Sequence, residues 1–298
     1  MTEWDAGTDP VLAELYAEPL RIRRPLRQTA PFIFASPHSG RLYPPSFIAT
    51  SRLGPLCLRR SEDAYVDELF DAVPAFGCPL LVAQFPRAYV DVNRAASELD
   101  DQMFDAALRV DVDAPSARVH AGLGVIPRVV RDGAEIYRGK LDPADAEQRL
   151  ARLYQPYHAA LAALVEETFL KFACAVVVDC HSMPSVPAAP AIVFGDCYGT
   201  SISSSLLRHT ERAFTASGFS TSRNIPYAGG HTTHLYARRE AGIHSLQIEV
   251  NRALYLDEEL IEKNGHFVDM RERITAALRQ ILSFDASVLR PRRPLAAE

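Results

Sequence analysis

The chain has 298 residues, of which 48% are hydrophobic and 23% charged, and its formal net charge is −5. This length and composition suit one α/β domain with a sizeable core, and the acidic balance provides no basic field for nucleic acid. No apolar run is long enough to cross a membrane, no secretory signal is visible and the five cysteines lack C-x-x-C spacing, so we expect a cytoplasmic protein with free thiols and no membrane partner.

Apolar runs separated by turn residues predict alternating strands and helices. We predict strands at residues 32–36, 80–85, 89–92, 175–179, 191–194 and 245–250. We predict helices at residues 64–73, 143–172, 203–217 and 257–282. Strands separated by helices indicate an α/β fold with a mixed, mostly parallel central sheet and helices on both of its faces.

The longest predicted helix begins at Pro143, with Asp142 as its N-cap. Proline suits the first helical position because its missing N–H would have no partner there. Residues 98–141 are polar and punctuated by Gly and Pro, so we expect loops over the active face rather than a second domain. The prediction is one catalytic domain over 1–298, with a family-like core at about 30–260 and a C-terminal helix at 257–285.

Two predicted strands each lead to a histidine at the carboxyl end. His38 follows the strand at 32–36, and His181 follows the strand at 175–179. Ligands of open α/β sheets bind at the carboxyl ends of the strands. A single histidine at a strand end is commonly a hydrogen-bonded loop residue. Two such histidines with carboxylates near both indicate a site for Zn²⁺ or another divalent transition metal.

A catalytic zinc usually takes three protein ligands, so a third residue is needed. Glu62 and Asp63 stand at the start of the predicted helix at 64–73. Carboxylates are favoured at a helix N-terminus by the helix dipole alone, which is the alternative explanation for both. We prefer Asp63 as the ligand and leave Glu62 open.

Glu249 lies near the end of a strand expected to be central. Leu246, Ile248 and Val250 alternate onto one face of that strand, so Glu249 faces the other side. A buried carboxylate is costly unless it is paired or has a chemical role. Beside a catalytic metal it would act as a general base, and the alternative is an ion pair with Arg252 or another arginine.

Asn93 and Arg94 follow the predicted strand at 89–92 and suit a substrate carboxylate, because guanidinium binds carboxylate with two parallel hydrogen bonds. This pair therefore predicts a substrate that carries a carboxylate. Two glycine-containing segments complete the candidate site. They provide further substrate-binding candidates, which are Gly229, Gly230, His231 and His234. The oxyanion would be stabilised by Arg128 or by one of these two histidines.

Several short motifs occur in a fixed order along the chain. They are Ser-Pro-His-Ser-Gly at 36–40, Glu-Asp-Ala-Tyr-Val-Asp at 62–67, Tyr-Val-Asp-Val-Asn-Arg at 89–94, the segment 122–128, Tyr-Arg at 137–138, Tyr-His at 157–158, Val-Asp-Cys-His-Ser at 178–182, Gly-Gly at 229–230 and Gln-Ile-Glu at 247–249. The ordered set resembles the N-formylglutamate amidohydrolase family, whose fold is related to that of zinc carboxypeptidases.

The resemblance implies a zinc-dependent enzyme that hydrolyses N-formyl-L-glutamate to formate and glutamate at the end of one histidine breakdown route. It implies His38, Asp63 and His181 as zinc ligands and Glu249 as the general base. It also implies Asn93 and Arg94 as the clamp on the substrate carboxylate. The alternatives are a hydrolase of another N-acyl amino acid or small peptide on the same zinc site, and a metal-free carboxylate-binding protein.

Overall fold

The fold is built around a seven-stranded mixed sheet in a computed structural model that describes residues 9–130 and 133–291. The strand order is β1-β3-β2-β4-β7-β5-β6. The strands are β1 Leu20–Arg23, β2 Phe32–Ser36, β3 Leu80–Ala83, β4 Ala175–Met183, β5 Ile192–Gly195, β6 Thr221–Arg223 and β7 Ile243–Asn251. β1 is antiparallel to β3 and β5 to β7, whereas the other neighbours are parallel. The predicted mixed, mostly parallel sheet is confirmed.

Helices pack on both faces of the sheet, as predicted. They are α1 Pro10–Ala17, α2 Pro45–Thr50, α3 Pro55–Arg59, α4 Val66–Leu69, α5 Ala117–His120, α6 Pro143–Arg149, α7 Gln155–Phe172, α8 Ser204–Ala216, α9 His231–Leu235 and α10 Phe267–Ile281. One apolar layer joins β2, β3, β4 and β7 to α4, α8 and α10, and the other joins the opposite face to α7. None of the helices in the described ranges is both long and apolar enough to cross a bilayer.

The predicted helix at 143–172 is confirmed, with one irregularity. α6 and α7 are joined by a single π-helical turn, Leu150–Tyr154. Pro156 follows this turn and lacks the N–H that a regular helix would require there, so the wider turn accommodates it. The predicted apolar face is buried, including Leu153, Tyr157 and Leu161.

The strand predicted at 89–92 is wrong. The N–H groups of Tyr89 and Val90 both donate to the carbonyl of Pro86, at 2.9 and 3.3 Å, which closes a turn. Tyr89 and Val92 are nevertheless buried in the core. Their apolar character therefore reflects burial of a turn and not pairing in the sheet.

Two predicted helices are shorter than expected. The helix predicted at 64–73 is reduced to α4, because Tyr65 adopts a left-handed conformation with φ of 63° immediately before it. The helix predicted at 257–282 begins at Phe267 instead, after a two-stranded ladder of Leu256–Asp257 and Glu262–Lys263. Asp257 accepts hydrogen bonds from the N–H groups of Glu259 and Leu260, both at 3.0 Å, and so stabilises a turn.

Strands β1 and β6 were not predicted. Both are edge strands of three or four residues, with no fully buried position, so they lack a strong apolar signal. The segment at 98–141 consists of loops with two short helical turns, Asp101–Met103 and α5, in its described residues. The prediction of loops there is confirmed.

Candidate functional site

The site lies where the carboxyl ends of the adjacent parallel strands β2, β4 and β7 meet. His38 comes two residues after β2, and His181 lies near the end of β4. Glu249 of β7 stands directly opposite His181 in the strand register. Asp63 precedes α4, and its N–H donates to the carbonyl of His38 at 2.9 Å. The strand pairing and this bond bring together residues that are far apart in sequence.

The two imidazole rings share one carboxylate oxygen. Oδ2 of Asp63 lies 2.9 Å from Nδ1 of His181 and 3.2 Å from Nδ1 of His38. The ring centroids are 4.9 Å apart, and all three side chains are buried. His38, Asp63 and His181 thus form a buried group that could hold a metal ion.

The opposite nitrogens of both rings face further carboxylates. Nε2 of His38 lies 2.8 Å from Oδ1 of Asp91, and Nε2 of His181 lies 2.9 Å from Oδ2 of Asp179. Metal-binding histidines usually donate their second N–H to a carboxylate, a carbonyl or water. The surroundings therefore favour Nδ1, which faces Asp63, as the metal-binding nitrogen of each ring.

The charge of this group is set by its own contacts. Burial alone would raise the pKa of Asp63, but the hydrogen bonds from His181 and His38 hold that pKa well below its ordinary value. Asp91 is also buried, and the positive charges of Arg87 and His38 hold its pKa well below the ordinary range. Both groups are therefore carboxylates, the form that a cation requires.

Arg252 fixes the second oxygen of Asp63. Its Nη2 donates to Oδ1 of Asp63 at 2.9 Å, and its Nε donates to Oγ of Ser182 at 3.0 Å. Glu62 faces elsewhere, because its carboxylate accepts hydrogen bonds from Arg59 at 3.1 to 3.3 Å. Of the two candidates for the third ligand, the structure brings only Asp63 to the histidines.

Glu249 is buried beside this group. Its Oε1 accepts a hydrogen bond from Nε2 of Gln247 at 2.8 Å. Arg252 hydrogen-bonds to Asp63 and not to Glu249, which speaks against the alternative explanation of Glu249 as its ion-pair partner. The pKa of Glu249 is raised to about 7, mainly by burial and also by the negative charge of Asp63, while the charge of His181 opposes the rise. A carboxyl group with this pKa exchanges protons near neutral pH.

These residues line a cavity of about 1010 Å³ that also contains the predicted carboxylate clamp. Arg94 donates from Nε to the carbonyl of Leu123 and from Nη1 to the carbonyl of Asn93, both at 2.9 Å. Its Nη2 has no hydrogen-bond partner among the described residues. Burial lowers the pKa of Arg94 from its ordinary value, because its positive charge is poorly solvated there. The arrangement can accept an anion from the cavity.

Asn93 is held from two sides. Its Oδ1 accepts a hydrogen bond from the N–H of Thr232 at 2.8 Å, and its Nδ2 lies 3.3 Å from Nε2 of His181. Gly230 lies directly over this amide, because a Cβ built at Gly230 would stand 2.3 Å from Nδ2 of Asn93. The structure therefore places this glycine against Asn93, and its contact with substrate stays a prediction.

The other predicted contact residues also reach the cavity. Gly229 lines it in a conformation with φ of 116° that favours glycine. His231 and His234 line it from the short helix α9. Burial lowers the pKa of His231, so this ring is neutral near pH 7.

The structure does not bring Arg128 to the cavity. Its Nη2 donates to the carbonyl of His120 at 3.2 Å, and its guanidinium lies 3.4 Å from Asp100 and 3.6 Å from Glu135. Arg128 is not among the cavity-lining residues. The loop at 122–128 turns this side chain outward, which argues against its predicted role at the oxyanion.

Sequence reasoning missed Arg87 and the structural roles of Asp91 and Arg252. Arg87 lines the cavity, and its Nε donates to Oδ2 of Asp91 at 3.0 Å. Arg87 precedes Asp91 by four residues, which is a spacing that a turn brings together. Because we predicted a strand over these residues, that signal was overlooked.

The fold and the site define an α/β protein with a buried group suited to a metal ion. Comparison with known proteins gives its family: residues 30–256 match the model of the N-formylglutamate amidohydrolase family, and the chain belongs to this family. A crystal structure of N-formylglutamate amidohydrolase from Ralstonia eutropha JMP134 is 34% identical, with a TM-score of 0.83, over 88% of this chain and 97% of that one.

Two curated relatives agree. N-formylglutamate deformylase of Pseudomonas aeruginosa is 26% identical over 266 residues, which cover 86% of this chain and 92% of the relative. N-formylglutamate deformylase of Pseudomonas putida is 25% identical over 231 residues, which cover 74% of this chain and 79% of the relative. The predicted family is confirmed.

Proposed function

We propose that this protein is a metal-dependent amidohydrolase that converts N-formyl-L-glutamate and water to formate and L-glutamate. The observation that carries the proposal is the convergence of His38, Asp63 and His181 in one cavity with a buried glutamate and an arginine. Family membership supplies the substrate, since the relatives are named for this activity. We expect the enzyme to act in the cytoplasm, at the end of a histidine breakdown route.

The donor set fits a divalent metal. Two imidazole Nδ1 atoms and one carboxylate oxygen face each other, and the outer nitrogens face the carboxylates of Asp91 and Asp179. Two nitrogens and one oxygen suit zinc, and three protein ligands leave a position for the reaction. A metal held there supplies Lewis acidity, which makes water a stronger nucleophile and polarises the amide carbonyl.

Glu249 is proposed to transfer the proton. Its carboxylate takes a proton from the attacking water as the new C–O bond forms at the formyl carbon. The C–N bond then breaks, and the same proton passes to the departing nitrogen, which becomes the amine of glutamate. With a pKa of about 7, Glu249 can both accept and return a proton near neutral pH.

Arg94 and Arg87 are proposed to handle the negative charges of the reaction. The unpartnered Nη2 of Arg94 would bind a substrate carboxylate and hold the amide in place. Arg87 lies beside Asp91 at the metal-binding group and lines the cavity, whereas Arg128 does not. We therefore assign to Arg87 the stabilisation of the developing oxyanion that the sequence suggested for Arg128.

The test combines two variants with elemental analysis and a formate-release assay. Glu249→Gln should keep its metal and lose most of its turnover, because an amide cannot accept the proton. His181→Ala should lose the metal as well as turnover, because a ligand is missing. Unchanged turnover in Glu249→Gln would contradict the assignment of the base, and wild-type protein without activity or bound metal would contradict the proposed function.

A second candidate substrate is favoured by the size of the cavity. A volume of about 1010 Å³ is at the upper end for sites that bind drug-sized ligands, and N-formylglutamate is much smaller. A larger N-acyl acidic amino acid or a small peptide would occupy more of this space. A panel of N-formyl, N-acetyl and longer N-acyl glutamates separates the candidates, since the preferred substrate has the highest kcat/KM.

A further inference from the structure

Arg118 brings a second guanidinium to the cavity that contains Arg94. It lies on the short helix α5, it is exposed, and it lines the cavity. Its side chain forms no ion pair or hydrogen bond with another described residue. By contrast, the guanidinium of Arg252, which also lines the cavity, is occupied by Asp63 and Ser182. Arg118 is therefore available to bind an anion from the cavity.

The segment that carries Arg118 is attached to Arg94. Nε of Arg94 donates to the carbonyl of Leu123 at 2.9 Å, and the N–H of Leu123 donates to the carbonyl of Arg118, also at 2.9 Å. Two successive hydrogen bonds thus connect the two arginines. Burial lowers the pKa of Arg94, and the positive charges of Arg87 and Arg118 add to this effect, whereas the negative charge of Asp91 opposes it. The charge of Arg118 therefore lies within electrostatic reach of Arg94.

Two acidic residues line the same cavity, and both are held by uncharged donors. Glu98 accepts hydrogen bonds from a backbone N–H at 3.1 Å and from Oγ of Ser116, the N-cap residue of α5, at 3.3 Å. Asp113 accepts a hydrogen bond from Oγ of Ser97 at 2.5 Å. Since both carboxylates have these partners and neither pairs with Arg118, the positive charge of Arg118 stays available for a ligand.

The two arginines stand at different depths of the cavity. Arg94 is buried, and its Nε lies 3.9 Å from Oδ2 of Asp91, whose other oxygen contacts His38. Arg118 is exposed and has no such contact with the metal-binding group. In N-formyl-L-glutamate, one carboxylate is attached to the carbon that bears the amide nitrogen, whereas the other ends the flexible side chain. The depth of each arginine therefore matches the distance of one carboxylate from the amide.

We propose that Arg118 is a specificity-determining residue that binds the side-chain carboxylate of the substrate while Arg94 binds its α-carboxylate. The inference rests on the proposed function and deepens it, because it makes N-acyl amino acids with two carboxylates the preferred class. A guanidinium can bind a carboxylate through two parallel hydrogen bonds, and solvent weakens the contact at an exposed position. We expect a preference of about 10-fold for N-formyl-L-glutamate over N-formyl-L-glutamine, whose side chain has the same shape without the charge.

The test compares kcat/KM for formate release from these two substrates. Arg118→Gln should lower the value for N-formyl-L-glutamate about 10-fold and leave that for N-formyl-L-glutamine unchanged. Arg118→Lys keeps the charge and should restore part of the loss, whereas Arg94→Gln should lower both values, because both substrates have an α-carboxylate. Arg109→Gln is the matched control, because Arg109 is also exposed, lies in the same loop segment and does not line the cavity.

A second readout uses the wild-type protein and does not depend on the folding of a variant. Added salt should narrow its preference for N-formyl-L-glutamate, because an exposed ion pair is screened. A preference that salt leaves unchanged would overturn the inference. So would equal kcat/KM of the wild type for both substrates, an equal loss on both in Arg118→Gln, or the same loss in Arg109→Gln. All of these results leave the amidohydrolase intact, whereas a wild type that releases formate from neither substrate contradicts the proposed function and this inference with it.

Discussion

Gly230→Ala should damage the site through one added methyl group. The backbone of Gly230 has φ of −101° and ψ of −164°, which any residue can adopt, so conformational strain is not the cause. The new Cβ would stand 2.3 Å from Nδ2 and 2.4 Å from Oδ1 of Asn93. Real Cβ atoms do not approach that closely, and either the loop or Asn93 must move.

The expected losses of stability and activity follow from the contacts that Asn93 makes. If its amide moves, the N–H of the fully buried Thr232 loses its acceptor, which costs about 1–3 kcal/mol. In large domains each kcal/mol lowers Tm by roughly 2–4 °C. Asn93 also contacts His181 and adjoins Arg94, and a displacement of about 1 Å near reacting groups can reduce the rate about 100-fold.

The assay compares Tm and kcat/KM of Gly230→Ala with those of Gly139→Ala. Gly139 is the matched control, because a Cβ built there meets no atom within 4 Å. We expect Gly139→Ala to behave as wild type. If Gly230→Ala matches it in both measurements, the loop does not lie over Asn93 and the reasoning is refuted.

Two further predictions concern protons and charge at the site. Since the raised pKa of Glu249 means that its carboxylate is lost as pH falls, kcat/KM should decline below about pH 7, and this limb should disappear from the residual activity of Glu249→Gln; a limb that persists there belongs to another group. Arg87→Gln should lower kcat by about 100–1000-fold as an oxyanion donor is removed, while Arg128→Gln keeps the wild-type kcat. The opposite order would return the oxyanion role to Arg128.

Part of the metal-binding group could be predicted from local sequence patterns. His38 and His181 were found because an apolar run leads directly to each, and the parallel pairing of β2 with β4 makes their convergence predictable. The sequence favours Asp63 over Glu62 but leaves Glu62 open, since neighbouring carboxylates at one helix start have a similar local pattern. The choice depends on contacts with Arg59 and Arg252, which come from different parts of the chain.

Local sequence patterns could not predict which of Arg128 and Arg87 lines the cavity. Both follow a proline in a loop-like segment, and nothing local distinguishes the one that lines the cavity. The direction of Arg128 is decided by Asp100 and Glu135, and that of Arg87 by the turn that brings it to Asp91. The same turn was mistaken for a strand, because burial selects apolar residues in turns as well as in sheets.

By itself, the sequence determined the layered α/β architecture, the longest helix and the two histidines, because hydrophobic periodicity and strand-end position are properties of neighbouring residues. Only the tertiary structure decided which carboxylate faces those histidines and which arginine enters the cavity. Both choices depend on contacts between segments that are far apart in the sequence, and no local pattern encodes those contacts.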